Sequence, residues 1–250
     1  MAGRATRKTQ LGFWLMSDNR LACEIARAAG FDLVILDMEH GALSPEGADA
    51  LVPFCKALGL AVQVRVAAAE RVPIQKALDS GADGVIIPQI RDLAHARVVT
   101  AYAKYPPLGT RGLGMSRIDG YGTYGPAFHT RENRRTLCLP MVETPGALAD
   151  AYEIAKLPTA DGLFLGPSDL SLTRGRGLLQ LSAADFKDAL RVAQAAKAAS
   201  KLFTLSGGSQ KSLAFARKHG AAFAGAFDDL SALKAGFTQA AATGRARLKG

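Results

Sequence analysis

Short runs of apolar and β-branched residues alternate along the chain with longer stretches in which small and apolar side chains return every three or four positions. The short runs are GFWL from Gly12, LVILDME from Leu33, AVQVRV from Ala61, GVIIPQ from Gly84, TLCLPMVE from Thr136, GLFLGP from Gly162, LFTLSG from Leu202 and AAFAGAF from Ala221. They are continuous rather than alternating, as parallel strands buried on both faces require. The intervening stretches, such as NRLACEIARAAG and VPIQKALDSGAD, keep helical spacing and place a Gly after the last turn. Eight strand–helix repeats in a chain of 250 residues predict a (β/α)8, or TIM, barrel of the α/β class, spanning residues 11–250 as one domain. A doubly wound open sheet is the rival. It is disfavoured because no G-x-G-x-x-G opens a helix after a strand and no G-x-x-x-x-G-K-[ST] loop occurs.

Two segments break the alternation. Residues 106–135, PPLGTRGLGMSRIDGYGTYGPAFHTRENRR, are rich in Gly, Pro, Tyr and Arg, and long insertions of this kind in compact domains are usually functional or disordered. Lying between the fourth and fifth strands, the insertion is expected on the barrel face where active sites form, as a lid or a subunit contact. Residues 1–10 carry Arg4, Arg7 and Lys8 and lead into no apolar leader core, which suits a solvated basic arm.

Composition narrows the class. The chain is 48% apolar and 21% charged, with a mean hydropathy of +0.08, the balance of a globular protein with a large core. Charges or Pro interrupt every apolar run before the ~18 residues that a membrane span needs, so a cytoplasmic protein without a membrane partner is expected. Cys23, Cys55 and Cys138 are odd in number, widely spaced and set among apolar residues, which suits buried reduced thiols. The net charge of +9 raises nucleic acid as a partner, but Arg4, Arg7, Lys8, Arg245, Arg247 and Lys249 place six positive charges in the tails. Solubility and attraction for anionic metabolites account for the excess, so no nucleic-acid partner is expected. A catalytically silent basic barrel that binds nucleic acid through those tails is the competing reading from another class.

In such a barrel the chemistry sits at the C-terminal ends of the strands. Those ends carry Asp37, Glu39 and His40 after the second strand, Arg65 in the third, Gln89 after the fourth, Glu143 after the fifth, Ser168 and Asp169 after the sixth, and Asp228 after the eighth. Glu143 and Asp169, from adjacent strands, can converge on a cation that keeps waters for a substrate to displace, as Mg²⁺ or Mn²⁺ does. Taken singly, Asp169 reads rather as a helix N-cap and Glu143 as a surface or ion-paired residue. Arg65 interrupts an apolar run, so it either faces a developing oxyanion or is paired with Asp37 or Glu39. His40, next to Glu39, is suited to proton transfer near neutral pH. No Lys lies at a C-terminal strand end, which disfavours Schiff-base chemistry and leaves the electrophilic work to a metal.

The segments FDLVILDMEHG, VQVRV, ALDSGADGVIIPQI, YPPLGTRGLG, PMVETPGALAD and DGLFLGPSDLS occur in the order and at about the spacing of the HpcH/HpaI aldolase family, metal-dependent pyruvate aldolases that this chain resembles from about residue 10 to residue 235. The resemblance implies that Glu143 and Asp169 hold a divalent metal ion (Mg²⁺, Mn²⁺ or Co²⁺). It implies that Arg65 steadies the enolate oxygen of pyruvate, and that amides around Gly166 and Ser168 hold the pyruvate carboxylate. His40 corresponds to the catalytic histidine, and Asp79 of ALDSG to its partner. The implied reaction joins or splits pyruvate and an aldehyde, and an enzyme of the citrate-lyase kind acting on acyl-CoA thioesters is the alternative within the fold.

Two positions depart from simple transfer. Met141 stands where many family members have Gln, two residues before Glu143. Asp79 precedes the fourth strand and so belongs to the barrel face away from the site. It can assist His40 only if a neighbouring subunit supplies it or the geometry differs from the simple barrel, with Asp37 as the local alternative. The family also implies a homo-oligomer, often a hexamer built from pairs that exchange a C-terminal helix. The segment LSALKAGFTQAAATGRARLKG suits either that helix or a packed eighth barrel helix.

Overall fold

A computed structural model describes residues 8–248. Residues 1–7 of the expected basic arm lie outside the described residues, and the arm's last residue, Gln10, already opens the first strand. Eight strands, β1 (Gln10–Leu15), β2 (Leu33–Asp37), β3 (Ala61–Arg65), β4 (Gly84–Ile87), β5 (Leu137–Val142), β6 (Gly162–Leu165), β7 (Leu202–Ser206) and β8 (Phe223–Asp228), close into a barrel in sequence order. All eight neighbour pairs are parallel, including β1 with β8. The helices are α1 (Arg20–Ala28), α2 (Pro45–Ala57), α3 (Arg71–Asp79), α4 (Leu93–Ala101), α5 (Phe128–Arg135), α6 (Pro145–Ala149), α7 (Ala151–Lys156), α8 (Pro167–Thr173), α9 (Ala183–Ala198), α10 (Gln210–Lys218) and α11 (Asp229–Arg247). None is long and apolar enough to cross a membrane among the described residues.

The two-residue period of the strands sorts their side chains into two cores. Leu33 and Ile35 of β2 point to the barrel axis, where they join Trp14, Leu139, Met141 and Phe164. Val34 and Leu36 point outward into the larger core beneath the helices, with Val62 and Val64 of β3. The next axial positions are Asp37 on β2, Arg65 on β3 and Glu143 just past β5. Charge therefore enters the axis only where the apolar plug ends.

The expectation for residues 106–135 needs correction. No residue of the insertion lines the cavity at the barrel mouth, and its last third is the helix α5 rather than irregular chain. Side chains pin the insertion to α3: Arg71 donates to the Thr110 carbonyl, the Gly112 amide donates to Gln75, and Arg111 pairs with Asp79. Arg117 reaches Asp49 on α2 in the same way. Leu113, Met115 and Tyr121 of this segment remain exposed. A packed eighth barrel helix is also not what forms, since only Asp229 of the 19-residue α11 is buried. Leu233 and Phe237 on that helix are exposed among the described residues.

Candidate active site

A cavity of about 350 Å³ opens at the C-terminal ends of the strands. Arg65 stands at its base. Its Nε donates to Asp37 Oδ1 at 2.9 Å and Nη2 to Oδ2 at 2.5 Å, a bidentate pair in which Asp37 is fully buried. Nη1 lies 3.3 Å from Glu39, and the guanidinium sits 4.7 Å above the Trp14 ring. Burial works against the charge on Arg65, but the hydrogen-bonded Asp37 carboxylate outweighs it and holds the guanidinium above its ordinary value. A cation clamped on two sides and stacked on an aromatic face has little freedom to turn away. The structure therefore bears out both pairings weighed for Arg65, with Asp37 and with Glu39.

Asp37 also organises the turn that follows β2. Its Oδ1 accepts the amides of Glu39 at 3.1 Å and His40 at 3.2 Å, the side-chain-to-backbone pattern that Asp supplies in tight turns. The turn can close only on a glycine, since a Cβ at Gly41 would overlap the Asp37 carbonyl oxygen. His40 lines the cavity with more than half of its side chain exposed, and Glu39 is its nearest carboxylate at 3.8 Å. Burial raises the pKa of that Glu39 carboxyl above the usual carboxylate value.

Glu143 is almost completely buried. Its Oε1 accepts the Gln89 amide at 2.6 Å. Gln89 adopts a left-handed conformation at φ 53°, which costs a non-glycine residue about 1–2 kcal/mol. Glu143 Oε2 has no hydrogen-bond partner, a cost that buried carboxylates rarely carry without a ligand to meet. Burial pushes the carboxyl up to about 7, the Glu39 and Asp169 charges adding to the effect while the Gln89 amide and Arg65 oppose it.

Asp169 shares the cavity with Glu143. It is the third residue of α8 rather than its cap, a position that belongs to Gly166. The Thr173 hydroxyl lies within hydrogen-bond distance of the carbonyl oxygens of Glu143 (3.0 Å) and Asp169 (2.8 Å), fixing the two segments to each other. Gly166 has a steric reason, because a Cβ there would stand 2.7 Å from Glu143 Oε2 and 3.0 Å from Met141 Sδ. Gly166→Ala should therefore push the Glu143 carboxylate aside while leaving the strands paired. If Glu143 is a metal ligand, calorimetric titration with Mn²⁺ should show binding weakened by about 10–100-fold, the range that loss of support around a metal ligand gives.

Among the described residues no group of three or more His, Cys, Asp or Glu side chains is placed to hold a metal ion. The donors on hand are two carboxylates, one with an unpartnered oxygen. That set fits a hard cation that draws the rest of its coordination from water and substrate, and it does not fit a closed structural site.

The structure thus brings His40, Arg65, Glu143, Gly166, Ser168 and Asp169 to one cavity. Asp79 is not among them. It ends α3 and accepts from Arg111 Nη2 at 2.6 Å, on the wall of a separate cavity of about 710 Å³ between α2, α3 and the insertion. Arg111 is itself buried, stacked 4.6 Å from the Tyr105 ring. Trp14 and Thr173 escaped the sequence reading. Trp14 sits mid-strand in an apolar run, and nothing in a run marks which side chain will lie under a guanidinium.

Residues 10–235 match the family model described as HpcH/HpaI aldolase/citrate lyase. The chain is 38% identical over 166 residues to a 2-dehydro-3,6-dideoxy-6-sulfogluconate aldolase of Pseudomonas putida, a match covering 66% of this chain and 65% of that protein. It is 35% identical over 172 residues to a 4-hydroxy-2-oxovalerate aldolase of Novosphingobium aromaticivorans, covering 66% and 63%. The matched region spans a little under two thirds of those relatives' own length. The crystal structure of an HpcH/HpaI aldolase from Desulfitobacterium hafniense DCB-2 superposes with a TM-score of 0.85 at 26% identity, covering 94% of this chain and 92% of that one.

Proposed function

Because the chain belongs to the HpcH/HpaI aldolase/citrate lyase family, we propose that it is a divalent-metal-dependent aldolase, a carbon–carbon lyase that joins or splits pyruvate and an aldehyde. The observation that carries this reading is the unpartnered, buried Glu143 Oε2 in a cavity shared with Asp169 and the clamped Arg65. Glu143 and Asp169 would hold Mg²⁺, Mn²⁺ or Co²⁺. When bound, the cation supplies positive charge against which the keto oxygen of pyruvate takes up electron density.

The protein's own groups do the rest. Amides around Gly166 and Ser168, at the start of α8, receive the pyruvate carboxylate. Arg65, fixed by Asp37 and Glu39, meets the negative charge that grows on the enolate oxygen and needs no rearrangement to do so. His40 stands in the same cavity with more than half of its side chain exposed and moves the proton to or from the aldol oxygen as the carbon–carbon bond breaks or forms. Asp79 would orient His40 only from a neighbouring copy of the chain, and the uncovered α11 is consistent with a homo-oligomer, including a hexamer. The relatives' aldolase names support the reaction class.

The test is release of pyruvate from a 4-hydroxy-2-oxo acid, coupled to lactate dehydrogenase. A chelator should abolish it and added cation restore it. Turnover that survives exhaustive chelation would overturn the reading.

The raised pKa of Glu143 gives this reading a pH signature. A neutral carboxyl must lose its proton before it can hold a cation, so apparent affinity should fall about tenfold per unit below pH ~7 and level off above it. Without cation the linkage runs the other way. A folded carboxyl with a pKa of about 7 contributes stability that is complete below its ordinary acidic value and lost as pH rises through 7. The Mn²⁺-induced rise in melting temperature should accordingly grow from about pH 5.5 to about pH 7 and then hold steady. A rise independent of pH would remove Glu143 from the metal site.

A further inference from the structure

The pyruvate reading leaves part of the cavity without a role. Its wall also includes Ser206 at the end of β7, Asp228 at the end of β8, and the apolar side chains of Met16 and Leu230. Leu205 packs outward, so Ser206 beside it faces the barrel axis, and its hydroxyl makes no side-chain hydrogen bond among the described residues. Asp228 Oδ1 accepts the Ser231 amide at 2.7 Å and so caps α11. No Lys, Arg or His among the described residues lies within ion-pair distance of it.

The charges around the cavity make this corner acidic. Arg65 is engaged by Asp37 and Glu39, Glu143 and Asp169 are committed to the cation, and the only other basic side chain on the wall is His40. The Asp228 carboxylate is left without a countercharge. An aldehyde that carries its own carboxylate would bring a second negative charge beside it, and like charges brought together in a partly enclosed site repel strongly. A neutral aldehyde with a hydroxyl would donate to Asp228 and exchange a hydrogen bond with Ser206.

We propose that Asp228 and Ser206 select the aldehyde substrate, favouring short, neutral, hydroxylated aldehydes over carboxylated ones. The inference rests on the pyruvate aldolase reading, and the two are separated by experiment. In the Mn²⁺-loaded full-length enzyme, exchange of the pyruvate methyl protons into D₂O, with no aldehyde present, reports the pyruvate half alone. Addition of pyruvate to glycolaldehyde, to the near-isosteric propanal and to succinate semialdehyde then reports selection.

Glycolaldehyde should exceed propanal in kcat/KM by about tenfold, the discrimination of a site built around a substrate hydroxyl being at least that. It should exceed succinate semialdehyde by about tenfold or more. Asp228→Asn keeps a competent helix cap and should narrow the glycolaldehyde to succinate semialdehyde ratio about tenfold. Ser206→Ala should narrow the glycolaldehyde to propanal ratio. If exchange occurs but the wild type handles succinate semialdehyde as well as glycolaldehyde, or Asp228→Asn leaves their ratio unchanged, the selection proposal is overturned alone. If exchange is absent, the aldolase reading fails and the proposal with it.

Discussion

Glu143→Gln should abolish aldol cleavage while leaving the barrel at least as stable as before. The substitution keeps the shape of the side chain and its carbonyl can still accept the Gln89 amide, but it removes the negative charge that a cation requires. Losing several kcal/mol of charge stabilisation at 1.36 kcal/mol per decade corresponds to a rate lower by ~10³-fold or more. The second half of the expectation follows from the raised pKa: above pH 7 the wild-type protein without cation carries an ionised carboxyl that burial disfavours, and the amide carries none. At pH 8 in chelator, thermal melting should place the variant at or above the wild type. Loss of activity together with a lower melting temperature would mean that Glu143 is a structural residue.

Arg65→Ala should damage both rate and stability, for separable reasons. Removing a preorganised donor from a developing oxyanion typically costs ~10²–10³ in kcat. Removing one partner of a buried pair leaves Asp37 with an uncompensated charge, which costs about 3–5 kcal/mol. The paired variant Arg65→Met with Asp37→Asn takes both charges away and keeps an acceptor for the Glu39 and His40 amides. It should recover much of the lost stability in denaturant unfolding and none of the rate. If Arg65→Ala keeps near-normal turnover at saturating cation, the arginine serves only the structure.

The strands were legible because parallel strands covered on both faces demand uninterrupted apolar runs, and each of the eight runs forms a strand within a few residues of its expected start. The period of two then fixed which polar residues would reach the axis. Asp37 and Glu143 follow the axial apolar residues Ile35 and Met141 by two positions, and Arg65 follows the buried Gln63 by two, so their convergence is written in local spacing. The same reading put Ser168 and Asp169 at the end of the sixth strand, but local spacing alone could not separate them from an ordinary helix start; the resemblance added Gly166 and gave all three their roles.

Other features depend on residues far apart in the chain. Nothing near Gly166 signals that it must lack a Cβ, because the obstacle is Glu143 on the next strand. The strained turn at Gln89 makes sense only once its amide meets the same carboxylate 54 residues away. The insertion was expected near the mouth from its place in the chain, but Arg71, Gln75 and Asp79 draw it onto α3.

Read alone, the amino-acid order determined the barrel, its strand sequence and the set of charges at its C-terminal rim, since all three follow from periodicities of two and of three to four residues. Tertiary structure decided which of those charges neutralise one another and which stay unsatisfied: Arg65 is spent on Asp37, while one oxygen of Glu143 has no partner. Pairing and burial depend on side chains brought together across strands, and no local pattern encodes the distance between them.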